Sequence, residues 1–221
     1  MVNLKEVLRE YLDKLVHRFL FIRRLDDELK IINKWLYQKP DGMETLNLSA
    51  SFFTAAQRGL DQTLLIELCK FIDQDEKKSL NNWMIKAKEH VIPLEPTYYD
   101  RNSGKRLKMK KKDFVSLVDS QMTELRKQSK TIRNLKARRN KVLAYTDAAF
   151  FNDPRNLRIK YPLFTSDIDE LLETVRGILR KFCVPMFEAD YDLSTVHTIY
   201  SLDTILTYAR AFMWANDDKE L

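Results

Sequence analysis

An arginine occupies a position in this chain where helical spacing calls for an apolar residue. Residues 113–150 contain neither glycine nor proline, and Phe114, Val118, Met122, Leu125, Ile132, Leu135, Val142 and Leu143 recur there at three- and four-residue steps. That is the period of one helix face. A step of four from Leu135 lands on Arg139. A guanidinium keeps its charge, and burying it without a partner is very costly. The apolar seam must therefore open at Arg139 onto water, a carboxylate, a partner chain or an anionic ligand. Its own helix cannot compensate it: Arg126, Lys127, Lys130, Arg133, Lys136, Arg138, Arg139 and Lys141 lie between Leu125 and Lys141 without one acid among them. A basic helix of this kind is either a solvated surface or the footprint of an anion or nucleic acid. The seam position of Arg139 favours the footprint, with Lys136, Arg138 and Lys141 as flanking phosphate contacts. Tyr145, further along, can hydrogen-bond a phosphate or a base and can stack on one.

The elements that must carry these residues are helical. Leu4, Leu8, Tyr11, Leu15, Phe19, Ile22, Leu25, Leu29, Ile32 and Leu36 mark one long helix from Leu4 to Gln38, ended by Lys39-Pro40-Asp41-Gly42. At ~1.5 Å per residue it would be roughly 50 Å long, too long for a small bundle unless it bends or packs on a second molecule. A second helix is expected from Ser49 to Asp73, and a third from Ser79 as N-cap to about Val91. The basic motif helix should run unbroken through residues 113–150. Ser166-Asp167-Ile168-Asp169 fits a capping box opening a further helix that ends before Pro185, and a last one spans residues 201–214. Between the third helix and the motif helix, residues 92–112 read as a long loop. Seven of its last twelve positions are basic, and Lys110, Lys111 and Lys112 are candidate nucleic-acid contacts. No alternating stretch is long enough to predict a strand. The expectation is an all-α protein: an antiparallel helical bundle of four to six helices with a long N-terminal helix. It reads as a single domain over residues 1–221, with 1–40 the N-terminal helix, 49–184 the core bundle and 185–221 the C-terminal helix.

Composition narrows the classes of function. In 221 residues there are 38 Lys and Arg against 32 Asp and Glu, a net charge of +6 that favours anionic partners without requiring them. No Gly-rich phosphate loop and no Cys/His cluster with zinc spacing is present; His17, His90 and His197 are scattered. Hence no cofactor and no metal is expected. Cys69 and Cys183 fall on faces predicted to be buried. No stretch approaches the ~18 apolar residues of a membrane span, and the charged start Met1-Val2-Asn3-Leu4-Lys5-Glu6 does not read as a signal peptide. A cytoplasmic protein with no membrane association is expected.

Arg139-Asn140-Lys141, followed by Ala144, Tyr145 and Asp147, resembles the motif helix of the HEPN superfamily (higher eukaryotes and prokaryotes nucleotide-binding), and within it the AbiU-like abortive-infection branch. The resemblance extends through Phe52-Phe53, Leu68-Cys69-Lys70-Phe71-Ile72-Asp73, Lys78-Ser79-Leu80 and Asp167-Ile168-Asp169-Glu170-Leu171-Leu172. It covers roughly residues 49–184. The family signature is an Arg, a polar residue, and a His four to six residues beyond the Arg. Here Arg139 and Asn140 match, and Tyr145 stands in the slot of the His. What the resemblance implies is a defence protein, of abortive-infection or toxin–antitoxin type, with two motif helices facing each other across a homodimer. It implies a metal-independent endoribonuclease in which Arg139 neutralises the scissile phosphate, Asn140 orients and the third residue moves protons. The partners it implies are RNA and an antitoxin or other protein.

Tyr145 departs from that pattern in a way that matters chemically. A phenol with pKa near 10 shuttles protons at neutral pH far less well than an imidazole near 6.5. Two classes of function follow: a weak or repurposed ribonuclease, and a non-catalytic bundle that binds RNA or a protein. A purely structural bundle would lead if Arg139 were paired with a carboxylate of its own chain. If the cleft has lost its proton shuttle, Tyr145→His should raise metal-free cleavage of single-stranded RNA by ~10²–10⁴-fold, and Arg139→Ala in that background should abolish the gain. No cleavage by wild type or Tyr145→His, together with RNA affinity indifferent to Arg139→Ala, would remove the nuclease-derived reading.

Overall fold

In the computed structural model, residues 3–100, 103–143, 159–188, 191, 193 and 201–217 are described. Helix α1 spans Leu4–Gln38, as its apolar spacing predicts. After it come α2 (Gly42–Asn47), α3 (Ala50–Ile72), α4 (Leu80–Glu89) and α5 (Val91–Leu94). A two-stranded antiparallel sheet of β1 (Thr97–Asp100) and β2 (Lys105–Lys108) precedes α6 (Lys111–Lys127) and α7 (Ser129–Leu143). Helices α8 (Thr165–Phe187) and α9 (Leu202–Asp217) complete the described chain. Among the described residues the protein is all-α with one small hairpin and a long N-terminal helix, and no described helix is long and apolar enough to cross a membrane.

Two compact units divide the chain. The first takes residues 1–19 and 65–193, the second residues 20–64 and 194–221. In the first, Leu8, Leu12, Leu15 and Phe19 of α1, Leu68 and Phe71 of α3, Trp83 of α4 and Phe114 and Val118 of α6 are buried, as is nearly every apolar residue of α8. Trp83 and Phe182 pack edge to face with ring centroids 4.9 Å apart, and the Trp83 indole N–H donates to the Leu8 carbonyl at 2.9 Å. A buried indole needs that acceptor. Cys69 and Cys183, expected on buried faces, are buried. In the second unit Trp35, Leu46 and Leu206 form a small core, and the Trp35 N–H donates to Asp203 at 2.8 Å. Gly42 is required there, since a Cβ at that position would lie 2.0 Å from the Trp35 carbonyl oxygen.

Four local features differ from the sequence expectation, each for a physical reason. The motif segment is not one helix: it breaks at Gln128, which is 8% exposed and donates its side-chain amide to Glu170 of α8 at 2.7 Å. That amide is satisfied by a tertiary partner, which helical periodicity cannot reveal. Residues 97–108 form the hairpin in place of a loop. Each strand is only four residues long, and all of β2 is exposed, so no alternation marks it. The turn uses Gly104 at φ 63, and Asp100 accepts from the Ser103 amide and hydroxyl. Glu95 ties this region to α1 by ion pairs to Lys108 (2.7 Å) and Lys5 (2.8 Å), whose hydrogen bonds hold its carboxyl at about 2. Helix α8 starts one residue before Ser166, with Asp167 accepting from the Phe164 N–H at 2.8 Å. It also runs through Pro185, which removes a single donor close to the end, where Glu188 at φ 61 closes the helix.

Candidate functional site

Asp73 follows directly on the last residue of α3, and its own amide donates to the Cys69 carbonyl at 2.8 Å. A carboxylate at a helix C-terminus meets the negative end of the helix dipole, and the Asp73 side chain is only 4% exposed. Such a group must be paired. The pairing comes from α7: Lys136 Nζ lies 2.5 Å from Oδ1, and Arg139 Nη1 lies 3.5 Å from Oδ2. Lys136 also reaches Asp75 at 3.5 Å, and Arg139 reaches Glu76 at 3.9 Å. The Asp75 N–H donates to Asp73 Oδ1 at 3.0 Å. Burial opposes ionisation of Asp73. The Lys136 and Asp75 hydrogen bonds, with the charges of Lys136 and Arg139, outweigh it and hold the carboxyl below its ordinary value. Lys136 shows the converse: burial works against its charge, but the bond and charge of Asp73 leave its pKa raised. Burial also pushes the Cys69 thiol up to about 12, so it stays protonated and unreactive.

The segment between α3 and α4 is fixed so that these acids face α7. Asn81 donates its side-chain amide to the Ile72 carbonyl at 2.6 Å, and Asn82 does the same to the Gln74 (3.0 Å) and Glu76 (2.6 Å) carbonyls. Ser79 caps α4, accepting from the Asn82 N–H at 3.3 Å, as the sequence predicts. Helix α7 is held from its other side by residues near the start of α8: Asn134 donates to the Pro162 carbonyl at 2.7 Å and Arg138 to the Tyr161 carbonyl at 2.8 Å.

Beside the Asp73 cluster a cleft of about 350 Å³ opens between α4 and the α6–α7 face. Ile72, Met122, Leu125 and Ile132 line it together with Arg126, Arg133 and Lys136. The side chains of Arg126 and Arg133 are exposed and have no ion pair or hydrogen bond among the described residues. Two unpaired guanidinium groups over an apolar floor can hold phosphate groups while bases or other planar groups rest on the floor.

Of the residues singled out in the sequence, Lys136 and Arg139 are brought together at Asp73. Asn140 accepts from Arg139 Nε at 3.1 Å, and Arg138 is turned toward Tyr161. Lys141 follows Asn140 directly on α7. Lys110, Lys111 and Lys112 are not part of the cluster: they form the N-cap and first turn of α6, and they are exposed. Tyr145 lies outside the described residues. Sequence reasoning did not find Asp73, Glu76, Arg126 or Arg133 as site residues. The signal for Asp73 was present, because it continues the buried face of Leu65, Cys69 and Ile72 as an acid where an apolar residue is expected.

Among the described residues the protein is a helical bundle with one small hairpin, in which a lysine- and arginine-rich helix is locked at its seam arginine. The HEPN_AbiU2 family model, described as AbiU2, matches residues 6–205, nearly the whole chain. The chain belongs to the AbiU2 family of HEPN proteins. No curated protein and no solved structure matches it.

Asp73→Asn should leave Lys136 and Arg139 without their carboxylate and lower stability at pH 7 by about 1–3 kcal/mol in urea titrations. A carboxyl held below its ordinary value stabilises the fold fully above that value, 3.8, and loses the contribution as pH falls below it. The gap between wild type and Asp73→Asn should therefore close under acid. A pH-independent gap would mean that the ion pairs contribute nothing.

Proposed function

We propose that this AbiU2-family protein is a defence protein of abortive-infection type that binds single-stranded RNA through the α6–α7 cleft and has little or no nuclease activity. The observation that carries the RNA half is the pair Arg126 of α6 and Arg133 of α7, both exposed, without a partner among the described residues, and lining one cleft above an apolar floor. Phosphates are the ligands that such a forked donor pair fits best. Bases stack on arginine planes without sequence preference, and the aliphatic floor gives them an apolar surface to lie against. Lys136, on the same face, adds positive charge at the end nearest Asp73.

The weak-catalysis half rests on the Asp73 pairing. An arginine that clamps a scissile phosphate must offer its donors to the ligand, whereas Arg139 points toward Asp73, Glu76 and Asn140 and is 16% exposed. The pairing of Arg139 with a carboxylate of its own chain meets the condition set for a purely structural bundle, so the RNA reading rests on Arg126 and Arg133 and not on the motif arginine. It also favours a second reading, in which the bundle acts through protein–protein contact and the motif helix is simply a packed, ion-paired element. Toxin–antitoxin pairing would fall under that reading. A homodimer, as the family resemblance implies, is part of both.

The variant Arg126→Gln/Arg133→Gln separates the two, because its side chains support no described contact. In fluorescence anisotropy with a labelled oligouridine it should bind more weakly than wild type. Its log–log salt dependence should be shallower by about 1.4, about 0.7 for each lost phosphate contact. Arg139→Ala should lose stability and change RNA affinity far less. An unchanged slope in the double variant would discard the RNA reading in favour of protein contact. Sedimentation showing a strict monomer at tens of micromolar would remove the dimer from either.

A further inference from the structure

The segment that supplies acids to α7 carries lysines immediately after them. Asp75 and Glu76 face Lys136 and Arg139, while Lys77 and Lys78 line a separate pocket of about 510 Å³ with residues of α1 and α4. Lys14 and Arg18 of α1 and Lys86 of α4 bring the cations in its lining to five, beside one carboxylate, Glu10. Glu10 pairs with Lys14 at 2.6 Å, and Glu67 holds Arg18 at 2.8 Å. Lys77, Lys78 and Lys86 have no carboxylate partner among the described residues. The Lys86 ammonium is instead 5.8 Å from the centre of the Tyr11 ring. Three uncompensated lysines converging on a concavity repel one another, and bound anionic groups would relieve that repulsion.

The pocket is held in shape by contacts that the lysine head groups do not make. The Tyr11 hydroxyl donates to the Ser79 carbonyl at 2.8 Å and lies 3.2 Å from the Lys77 carbonyl, anchoring the lysine segment to α1. Burial lifts the Tyr11 phenol to about 12, so it remains a donor throughout the physiological range. Val7 and Leu15 give the pocket an apolar side. Its volume suits a small ligand, since pockets for such ligands usually measure about 300–1,000 Å³.

From this geometry we infer a second anion site, formed by Lys77, Lys78, Lys86, Lys14 and Arg18, that takes the di- or triphosphate group of a small ligand. The lysines supply flexible point charges suited to a compact, highly charged group, while Arg18, fixed by Glu67, sets one edge. The inference does not depend on RNA binding at the α6–α7 cleft, which is lined by different residues.

Sodium tripolyphosphate is the probe, titrated into the full chain by calorimetry at low salt, with thermal unfolding in parallel. Binding should weaken as ionic strength rises. Lys77→Gln/Lys78→Gln, whose side chains make no described ion pair, should unfold at the wild-type temperature without ligand and bind about tenfold more weakly or worse. Arg126→Gln/Arg133→Gln should bind tripolyphosphate as wild type does, and oligouridine should not displace it. Absent binding, or equal affinity in Lys77→Gln/Lys78→Gln, would overturn the site. Competitive displacement by oligouridine would assign the pocket to a polynucleotide backbone and overturn the small-ligand assignment.

Discussion

A single nearly buried carboxylate, Asp73 at the end of α3, is the constraint on which the candidate site depends. Left alone it would oppose the α3 dipole and sit desolvated with its charge uncompensated. Lys136 and Arg139 resolve this from α7, one turn apart on the same helical face. The arrangement works in both directions. The acid needs the cations in order to stay ionised under burial, and the seam arginine needs the acid in order to occupy an apolar row. Buried ion pairs are weak evidence for added stability but strong constraints on arrangement, because removing either partner strands the other. Here the constraint fixes the rotation of α7 relative to the end of α3, and so decides which residues face the cleft beside it.

That rotation explains the division of labour along the basic helix. Turning Arg139 and Lys136 toward Asp73 directs Arg133 of α7 to the cleft over Ile72, Met122, Leu125 and Ile132, which Arg126 of α6 also lines. Arg138 is left to hold Tyr161. The break at Gln128 belongs to the same scheme, since its amide is committed to Glu170 of α8. Membership in the AbiU2 family places these features in a defence lineage of HEPN proteins. Within that lineage, an arginine bound by its own chain is better suited to holding a fold than to holding a substrate.

Much of the helical framework was legible from apolar spacing alone. The bounds of α1, the Ser79 cap and the burial of Cys69 and Cys183 follow from periodicity and capping chemistry, which are local. Arg139 was legible as an anomaly: its spacing required a partner, and a carboxylate was one of the partners the spacing allowed. Which carboxylate could not be read, because Asp73 lies 66 positions earlier and is joined to α7 only by tertiary packing. The hairpin escaped notice for a related reason. Its pairing of Thr97–Asp100 with Lys105–Lys108 buries almost nothing, so it leaves no hydrophobic trace. The lysine pocket is likewise assembled from α1, the segment before α4 and α4 itself, and no window of sequence contains it.

The most direct test is the ionisation of Asp73 itself, followed at its side-chain carboxyl carbon by NMR through an acid titration of the folded protein. The account predicts a midpoint below the ordinary aspartate value of 3.8, because Lys136, Arg139 and the Asp75 amide favour the carboxylate more than burial opposes it. It further predicts a rise when Lys136 is replaced by Met, since the shortest of those bonds is lost. A midpoint at or above 3.8 in the wild type, unmoved by Lys136→Met, would show that the motif helix is not held by Asp73 and would return Arg139 to the ligands available for an anion.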